Sequence, residues 1–307
     1  MSNEIKNVIV IGAGGNTGPA IVSELVNSGF NVSALARESS NSPVPAGIPV
    51  HRTDYSRASL LAAFKGQDAI VSAINTFRVA QQLAVVDAAV ECGVKRFIPS
   101  EYGLDSALAA APEEIPPLKQ KQETISLLRT KQDQGMSWTA VCVGGYFDWA
   151  IEVGLFGWDV RNRVATIYEN PDRPYAASNL GRIAEAIRAV LQKPAETANK
   201  YVYVQSFSTT QHEVLAALEK ATGDKFTIKH ARTEEARELG RKALAEGDEL
   251  TGLGAYVTAA IYGGSGMCDF EEKIDKWAKI LELKPENLQE TIDRVVAKVG
   301  GGGKKGE

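Results

Sequence analysis

The chain has little of what metal centres and disulfide scaffolds are built from. Its 307 residues include three cysteines, Cys92, Cys142 and Cys268, and three histidines, His51, His212 and His230. Scattered thiols in odd number fit reduced side chains rather than a disulfide framework. The histidines have no ligand spacing, so no metal is expected. No basic block stands out in a chain whose formal net charge is −4, and nucleic acid is not an expected partner. No apolar run reaches the length of a membrane span. The opening "MSNEIKN" leads directly into an apolar strand with no charged-then-apolar leader. The expectation is a soluble, cytoplasmic protein without a membrane partner. A homodimer is compatible with all of this.

What is present is ordinary globular material, 44% hydrophobic and 23% charged, in a length that suits roughly two domains. Apolar runs alternate with helical patterns from the start. Val8–Ile11, Val32–Ala36, Val50–His51, Ala69–Ile74, Val94–Pro99 and Trp138–Val143 read as strands. Pro19–Ser28, Ser56–Lys65 (with Ser56 as N-cap), Arg78–Cys92 and Pro116–Asp133 read as the helices between them. Repeated strand–helix–strand units predict an α/β fold, a doubly wound parallel sheet with helices on both faces. After Phe147 the chain becomes mixed and turn-rich. A helix over Asn179–Leu191 and a strand over Tyr201–Val204 follow, and from Thr210 onward the pattern is mainly helical. The expected organisation is a nucleotide-binding unit of residues 1–148 with 178–210. A smaller, mainly helical C-terminal substrate unit takes 149–177 with 211–299, and 300–307 form a flexible glycine-rich tail.

The stretch "VIVIGAGGNTGPAIVSELVNSGFNVSALAR" (Val8–Arg37) sets Gly12, Gly15 and Gly18 between a strand and a helix. In such a unit the first glycine permits a tight turn, the second lets backbone approach a pyrophosphate, and the third lets helix and strand pack closely. Helix-terminal N–H groups then face the phosphates. A glycine-rich structural turn is the bland alternative. Arg37 ends the second strand, about 20 residues on, where a carboxylate would hold the ribose hydroxyls of NAD. Arginine there pairs with a 2′-phosphate instead, which favours NADP. Glu38 is the competing ribose ligand, but strand alternation turns it to the other side.

Several collinear stretches carry a resemblance. "GAGGNTG" resembles the GATGxxG loop of atypical short-chain dehydrogenases, with Gly14 where threonine is usual. "VKRFIPSEYG" (Val94–Gly103), "GMSWTAVCVGGYFDW" (Gly135–Trp149) and "SNLGRIAEAI" (Ser178–Ile187) resemble the NmrA-like proteins, closest to the isoflavone reductase-like branch with its phenylcoumaran benzylic ether and pinoresinol–lariciresinol reductases. The similarity spans about residues 5–299. It implies a Rossmann-type NADP-binding domain, a small C-terminal substrate domain, and reduction of an aromatic or conjugated small molecule. The family also includes members that only sense the dinucleotide, or keep it bound while catalysing a non-redox transformation, so that reading stays open.

Ordinary short-chain dehydrogenases use Tyr-x-x-x-Lys, and none of the nine tyrosines has lysine four residues on. The reductase branch instead implies a lysine on the helix after "SEYG". Lys119 and Lys121 both stand there. Leu118, Lys121, Ile125 and Leu128 share one helical face, whereas Lys119 lies with Gln122, Glu123 and Ser126 on the polar face. Lys121 is therefore the expected catalytic proton relay, also touching the cofactor, against the alternative of a snorkelling lysine. Ligands bind outside the carboxyl ends of parallel strands. That places Gly12, Gly14, Gly15, Asn16, Thr17, Gly18, Arg37, Asp54, Ala73, Asn75 and Ser100 at the cofactor. Tyr102, Tyr146, Phe147 and Trp149 are placed around an aromatic substrate pocket. Turn formation and core packing remain the alternatives for these positions.

Overall fold

The computed structural model describes residues 4–301. Its centre is a parallel sheet of β1 (Asn7–Ile11), β2 (Asn31–Arg37), β3 (Val50–Thr53), β4 (Ala69–Ser72), β5 (Arg96–Ile98), β6 (Ser137–Cys142) and an edge strand, Lys200–Tyr203. The seven run in the order edge strand, β6, β5, β4, β1, β2, β3. β1 is the pivot: Val8 is in register with Val32 on one side and Ala69 on the other. Strand order reverses there, so a crevice opens at the carboxyl ends of β1 and β4.

Sequence pattern explains why both faces are covered. Strands buried on two sides read as unbroken apolar runs, and Val8–Ile11 are all at most 1% exposed. Val8 and Val10 pack with Ile21, Val22 and Leu25 of the helix Gly18–Asn27 and with Ile183, Ile187 and Val190 of the helix Leu180–Gln192. Ile9 and Ile11 point the other way, onto Leu60 and Phe64, Val85 and Val86, and Ile125 and Leu128. A separate apolar cluster lies beyond the sheet's carboxyl edge. It gathers Phe147, Ile151, Phe156, Trp158, Val214, Leu218, Ile261 and Val295. Two three-stranded sheets contribute to it: Gly145–Tyr146 with Tyr175–Ser178 and Phe207–Thr209, and Trp158–Asp159 with Val164–Ile167 and Thr227–His230.

Three departures from the sequence reading have local causes. The helix expected from Arg78 begins as a tight turn, Thr76–Gln81, and becomes regular only over Gln82–Glu91, because the Asn75 side chain accepts from Phe77 N at 2.8 Å and winds the chain more tightly. Thr227–His230, within the stretch read as mainly helical, is a strand paired parallel to Val164–Ile167. All four of its residues are exposed, so it shows no apolar alternation. The last helix, Leu288–Gly301, runs through Gly300, and residues 302–307 of the expected tail lie outside the described residues. No helix among the described residues is long and apolar enough to cross a membrane.

Arg96 ties the edge of the sheet together. It is 2% exposed. Its guanidinium donates to Ser137 Oγ (2.9 Å), Thr139 Oγ1 (2.6 Å), Thr197 Oγ1 (3.1 Å) and the Pro194 carbonyl. Burial lowers its pKa to about 10. Arg96→Met leaves these acceptors unsatisfied and should cost about 2 kcal/mol, read as a lower urea midpoint. An unchanged midpoint would mean that desolvation of the guanidinium cancels its hydrogen bonds.

Candidate functional site

The crevice at the β1–β4 switch point is a trough made of two adjoining hollows. The smaller, of about 180 Å³, runs past Gly12–Gly15 to Arg37, Ser40 and Tyr55. The larger, of about 430 Å³, is walled by Ser100, Tyr102, Lys121, Tyr146 and Trp149. Apolar side chains from the far cluster, among them Phe156, Leu253 and Val257, close its other side. Gly15, Ala73, Ile74 and Asn75 line both hollows, so the two are continuous along the glycine loop.

The glycines divide the work between packing and clearance. A Cβ on Gly12, whose φ is +82°, would lie 2.4 Å from the Ala73 carbonyl oxygen. One on Gly14 would lie 2.5 Å from the Pro43 carbonyl, and one on Gly18 would lie 2.3 Å from the Gly12 carbonyl. Only at Gly15 is the nearest atom as far as 3.3 Å, and Gly15 is the loop glycine facing both hollows. Thr17 and Asn16 follow on the wall of the larger one.

Arg37 is exposed at the end of β2 and lines the smaller hollow. Arg52 Nη1 holds the chain beside it, donating to the Arg37 carbonyl at 3.1 Å and the Ser40 carbonyl at 2.9 Å. Asp54 departs from its expected place. Its Oδ1 accepts from Ser56 N and Ser59 Oγ, both at 2.8 Å, and it lines neither hollow. These bonds hold its carboxyl at about 2; it organises the turn into the helix Arg57–Phe64. Asn75 stands on the trough wall while its Oδ1 caps the following turn. Ser100 is fixed by donating from Oγ to the Ile74 carbonyl at 2.7 Å and from N to Gln82 Oε1 at 2.8 Å.

The helix Lys119–Thr130 buries Lys121, Thr124, Ile125 and Leu128 and leaves Lys119 exposed. Gln122, expected on the polar face, is half-buried and donates to the carbonyls of Ser106 and Leu108 at 2.9 Å. Lys121 is 6% exposed and its Nζ donates to the Glu101 carbonyl at 2.6 Å. Burial lowers its pKa, and the Glu101 carboxylate opposes that shift. Glu101 is itself buried, accepts from Ser106 Oγ at 2.6 Å, and has its pKa raised by desolvation. Tyr102, 5% exposed, lines the larger hollow, and its hydroxyl has no hydrogen-bond partner among the described residues. Burial raises its pKa and that of Tyr146. Tyr146 and Trp149 meet edge to face, centroids 6.3 Å apart. Phe147 corrects its expected role: it is 2% exposed and packs on Phe207 in the core, away from the trough.

Sequence reasoning missed Tyr55, Arg78 and the whole wall from the helix Glu249–Tyr262, whose Leu250, Leu253, Gly254 and Val257 line the larger hollow. No local motif marks them. The apolar spacing of that helix signals burial, but not against which partner. Among the described residues no group of three His, Cys, Asp or Glu side chains stands where it could hold a metal ion.

The sequence pattern of the NmrA-like family matches residues 4–251. The chain belongs to the NmrA-like family. It is 35% identical over 296 residues to the oxidoreductase aprR of Aspergillus flavus, covering 94% of this chain and 98% of that protein. Solved structures share the fold, two of them reductases or cofactor complexes by name. AtPrR2 with NADP+ and (+)pinoresinol superposes with a TM-score of 0.77 at 22% identity, covering 96% of this chain and all of that one. The leucoanthocyanidin reductase–NADPH complex of Vitis vinifera does so with a TM-score of 0.77 at 18% identity, covering 95% and 99%.

Within the glycine loop, packing and clearance are separable by substitution. Gly18→Ala drives a methyl into the Gly12 carbonyl and should cost about 2 kcal/mol, more than alanine returns in helix propensity. Gly15→Ala should stay within about 1 kcal/mol of the parent. Paired thermal unfolding curves check this; equal losses would mean that both glycines serve packing alone.

Proposed function

We propose that the protein is an NADPH-dependent reductase of an aromatic or conjugated small molecule, with Lys121 as its proton relay. The observation that carries this reading is the juxtaposition, in one trough, of a glycine loop and a mostly apolar cavity with a buried lysine in its wall. The oxidoreductase name of a relative covering nearly the whole chain supports it, as do the NADP+ and pinoresinol of a protein of the same fold. We assign residues 1–148 with 178–210 to the dinucleotide and 149–177 with 211–299 to the substrate. Within the latter the helix Glu271–Leu281 returns to the sheet through Trp277 and Leu281. The setting we infer is cytoplasmic.

The residues present fit a dinucleotide. Gly15 brings side-chain-free backbone to the hollow, where a pyrophosphate could approach it, and Arg37 offers a guanidinium in the same hollow. NADPH, when bound, supplies a hydride. The chain's part is to exclude water, orient an aromatic acceptor and handle a proton. Tyr146, Trp149 and the Leu253–Val257 wall offer an apolar, aromatic enclosure. Tyr102 adds a further aromatic ring to the wall of the same hollow. Lys121 Nζ, held by one carbonyl, keeps two donor positions and gives a proton to oxygen as negative charge develops there.

Turnover of conjugated aromatic compounds with loss of nicotinamide absorbance tests the reading. Unchanged absorbance while the compound is transformed would instead assign a non-redox role. Lys121→Ala should lower the rate by about 10²–10⁴ and leave NADPH affinity within a few fold, whereas Lys119→Ala does almost nothing. If Lys119→Ala is the dead variant, the assignment of the buried face fails. Because burial lowers the Lys121 pKa, its protonated form is lost as pH rises through a value below that of an exposed lysine. The rate should therefore fall on the alkaline side earlier than such a lysine would give. An alkaline limb in the ordinary lysine range would remove Lys121 as the donor.

Cofactor choice rests on Arg37. A charge-assisted pair with phosphate contributes about 1.5–3 kcal/mol, so Arg37→Ala should weaken NADPH binding by tens of fold and hardly affect NADH. Calorimetric titration with both reads this directly, and equal losses would make Arg37 structural.

A further inference from the structure

One ion pair crosses the trough, and neither the fold nor the proposed chemistry accounts for it. Arg78 lies in the turn Thr76–Gln81 after β4 and lines the smaller hollow. Its Nη1 donates to Glu249 Oε1 at 3.3 Å and to the Phe77 carbonyl at 3.2 Å. Glu249 opens the helix Glu249–Tyr262, which walls the larger hollow, and itself lines that hollow. The two side chains are 51% and 40% exposed. Arg78 shares its hollow with Gly15, Ala73, Ile74 and Asn75, the residues that belong to both hollows. Arg78 thus lines the same hollow as the glycine loop Gly12–Gly15 and Arg37, while Lys121 lines the other.

We propose that Arg78 is a pyrophosphate ligand of the bound dinucleotide and that Glu249 competes with the pyrophosphate for it. This rests on the reading of the trough as a dinucleotide site. A half-exposed Arg–Glu pair is weak, changing an equilibrium by a few fold at most. A guanidinium with phosphate oxygens forms forked, charge-assisted bonds that are considerably stronger. The pyrophosphate therefore wins the competition, and Arg78 exchanges one partner for the other as the dinucleotide enters. Left in place beside the phosphates, the Glu249 carboxylate would repel them. Its pairing with Arg78 makes the first turn of the substrate-side helix sensitive to dinucleotide occupancy. The assignment differs from that of Arg37 in a measurable way, since the pyrophosphate is common to NADPH and NADH while the 2′-phosphate is not.

Calorimetric titration of NADPH and of NADH into the full-length protein and three variants tests the exchange, with circular dichroism and thermal unfolding confirming that each variant is folded. Arg78→Met should weaken both dinucleotides alike, by about 10-fold or more. Glu249→Gln should tighten both by a few fold, and the double variant should behave as Arg78→Met does, because the competitor matters only while the arginine is there. Parent-like affinity in Arg78→Met overturns the proposal. Loss with NADPH alone moves Arg78 to the 2′-phosphate and overturns the pyrophosphate assignment. Weaker binding in Glu249→Gln overturns the competition. If the unmodified protein binds neither dinucleotide, the reading of the trough falls, and this proposal with it.

Discussion

The contact between Gly18 and the carbonyl of Gly12 is the constraint on which the rest depends. With a Cβ at Gly18 only 2.3 Å from that oxygen, nothing larger than hydrogen lets the helix Gly18–Asn27 start this close to the end of β1. The closeness sets Ile21, Val22 and Leu25 onto Val8 and Val10 and seats the helix beside Leu180–Gln192. It also fixes where the loop before the helix must pass: over the gap between β1 and β4, with Gly15 facing the trough. Strand order reverses at that gap, so a backbone packing contact and the opening at the switch point coincide. The opening is then roofed by the second apolar cluster, whose side chains turn a crevice into a cavity.

The chain that leaves β5 shows how the two layers share one segment. Ser100, Tyr102 and Gly103 face the cavity, while Glu101 turns into the interior. Lys121 reaches between them and takes the Glu101 carbonyl rather than its carboxylate. Among the described ion pairs Lys121 has none. It is desolvated and only partly compensated, the condition in which a lysine most readily changes protonation state.

Much of this was legible in the sequence. Strands buried on both faces show as apolar runs, and β1, β2, β4 and β6 fall within a residue or two of where those runs lie. Helical spacing separated Lys121 from Lys119, because burial follows from which residues share a face. The glycine spacing located the trough. What spacing cannot supply is the identity of the partner. Phe147 and Trp149 look alike in sequence, yet one packs on Phe207 and the other on the cavity, which depends on a strand 60 residues away. Asp54 stands at the carboxyl end of a strand, as a ligand would, but Ser56 and Ser59 are nearer claimants on its oxygens. Arg78 and the Glu249–Val257 wall come together only when the chain closes over 171 positions. The strand Thr227–His230 carries no apolar signal because it buries nothing.

Two buried cations bracket the difference between holding a fold and leaving a group available. Arg96 and Lys121 are 2% and 6% exposed, and burial lowers the pKa of each. Arg96 spends its donors on four oxygens from the sheet and the segment after Leu180–Gln192, all of them protein atoms. A guanidinium with four of its five donors so engaged is committed to the fold, and its pKa of about 10 leaves it charged at neutral pH. Lys121 has one protein acceptor and lines the larger hollow, as Tyr102 does. Buried polar groups are satisfied almost everywhere in folded proteins. Lys121, with one protein acceptor for its three ammonium donors, sits in a cavity wall still available where Arg96 is committed.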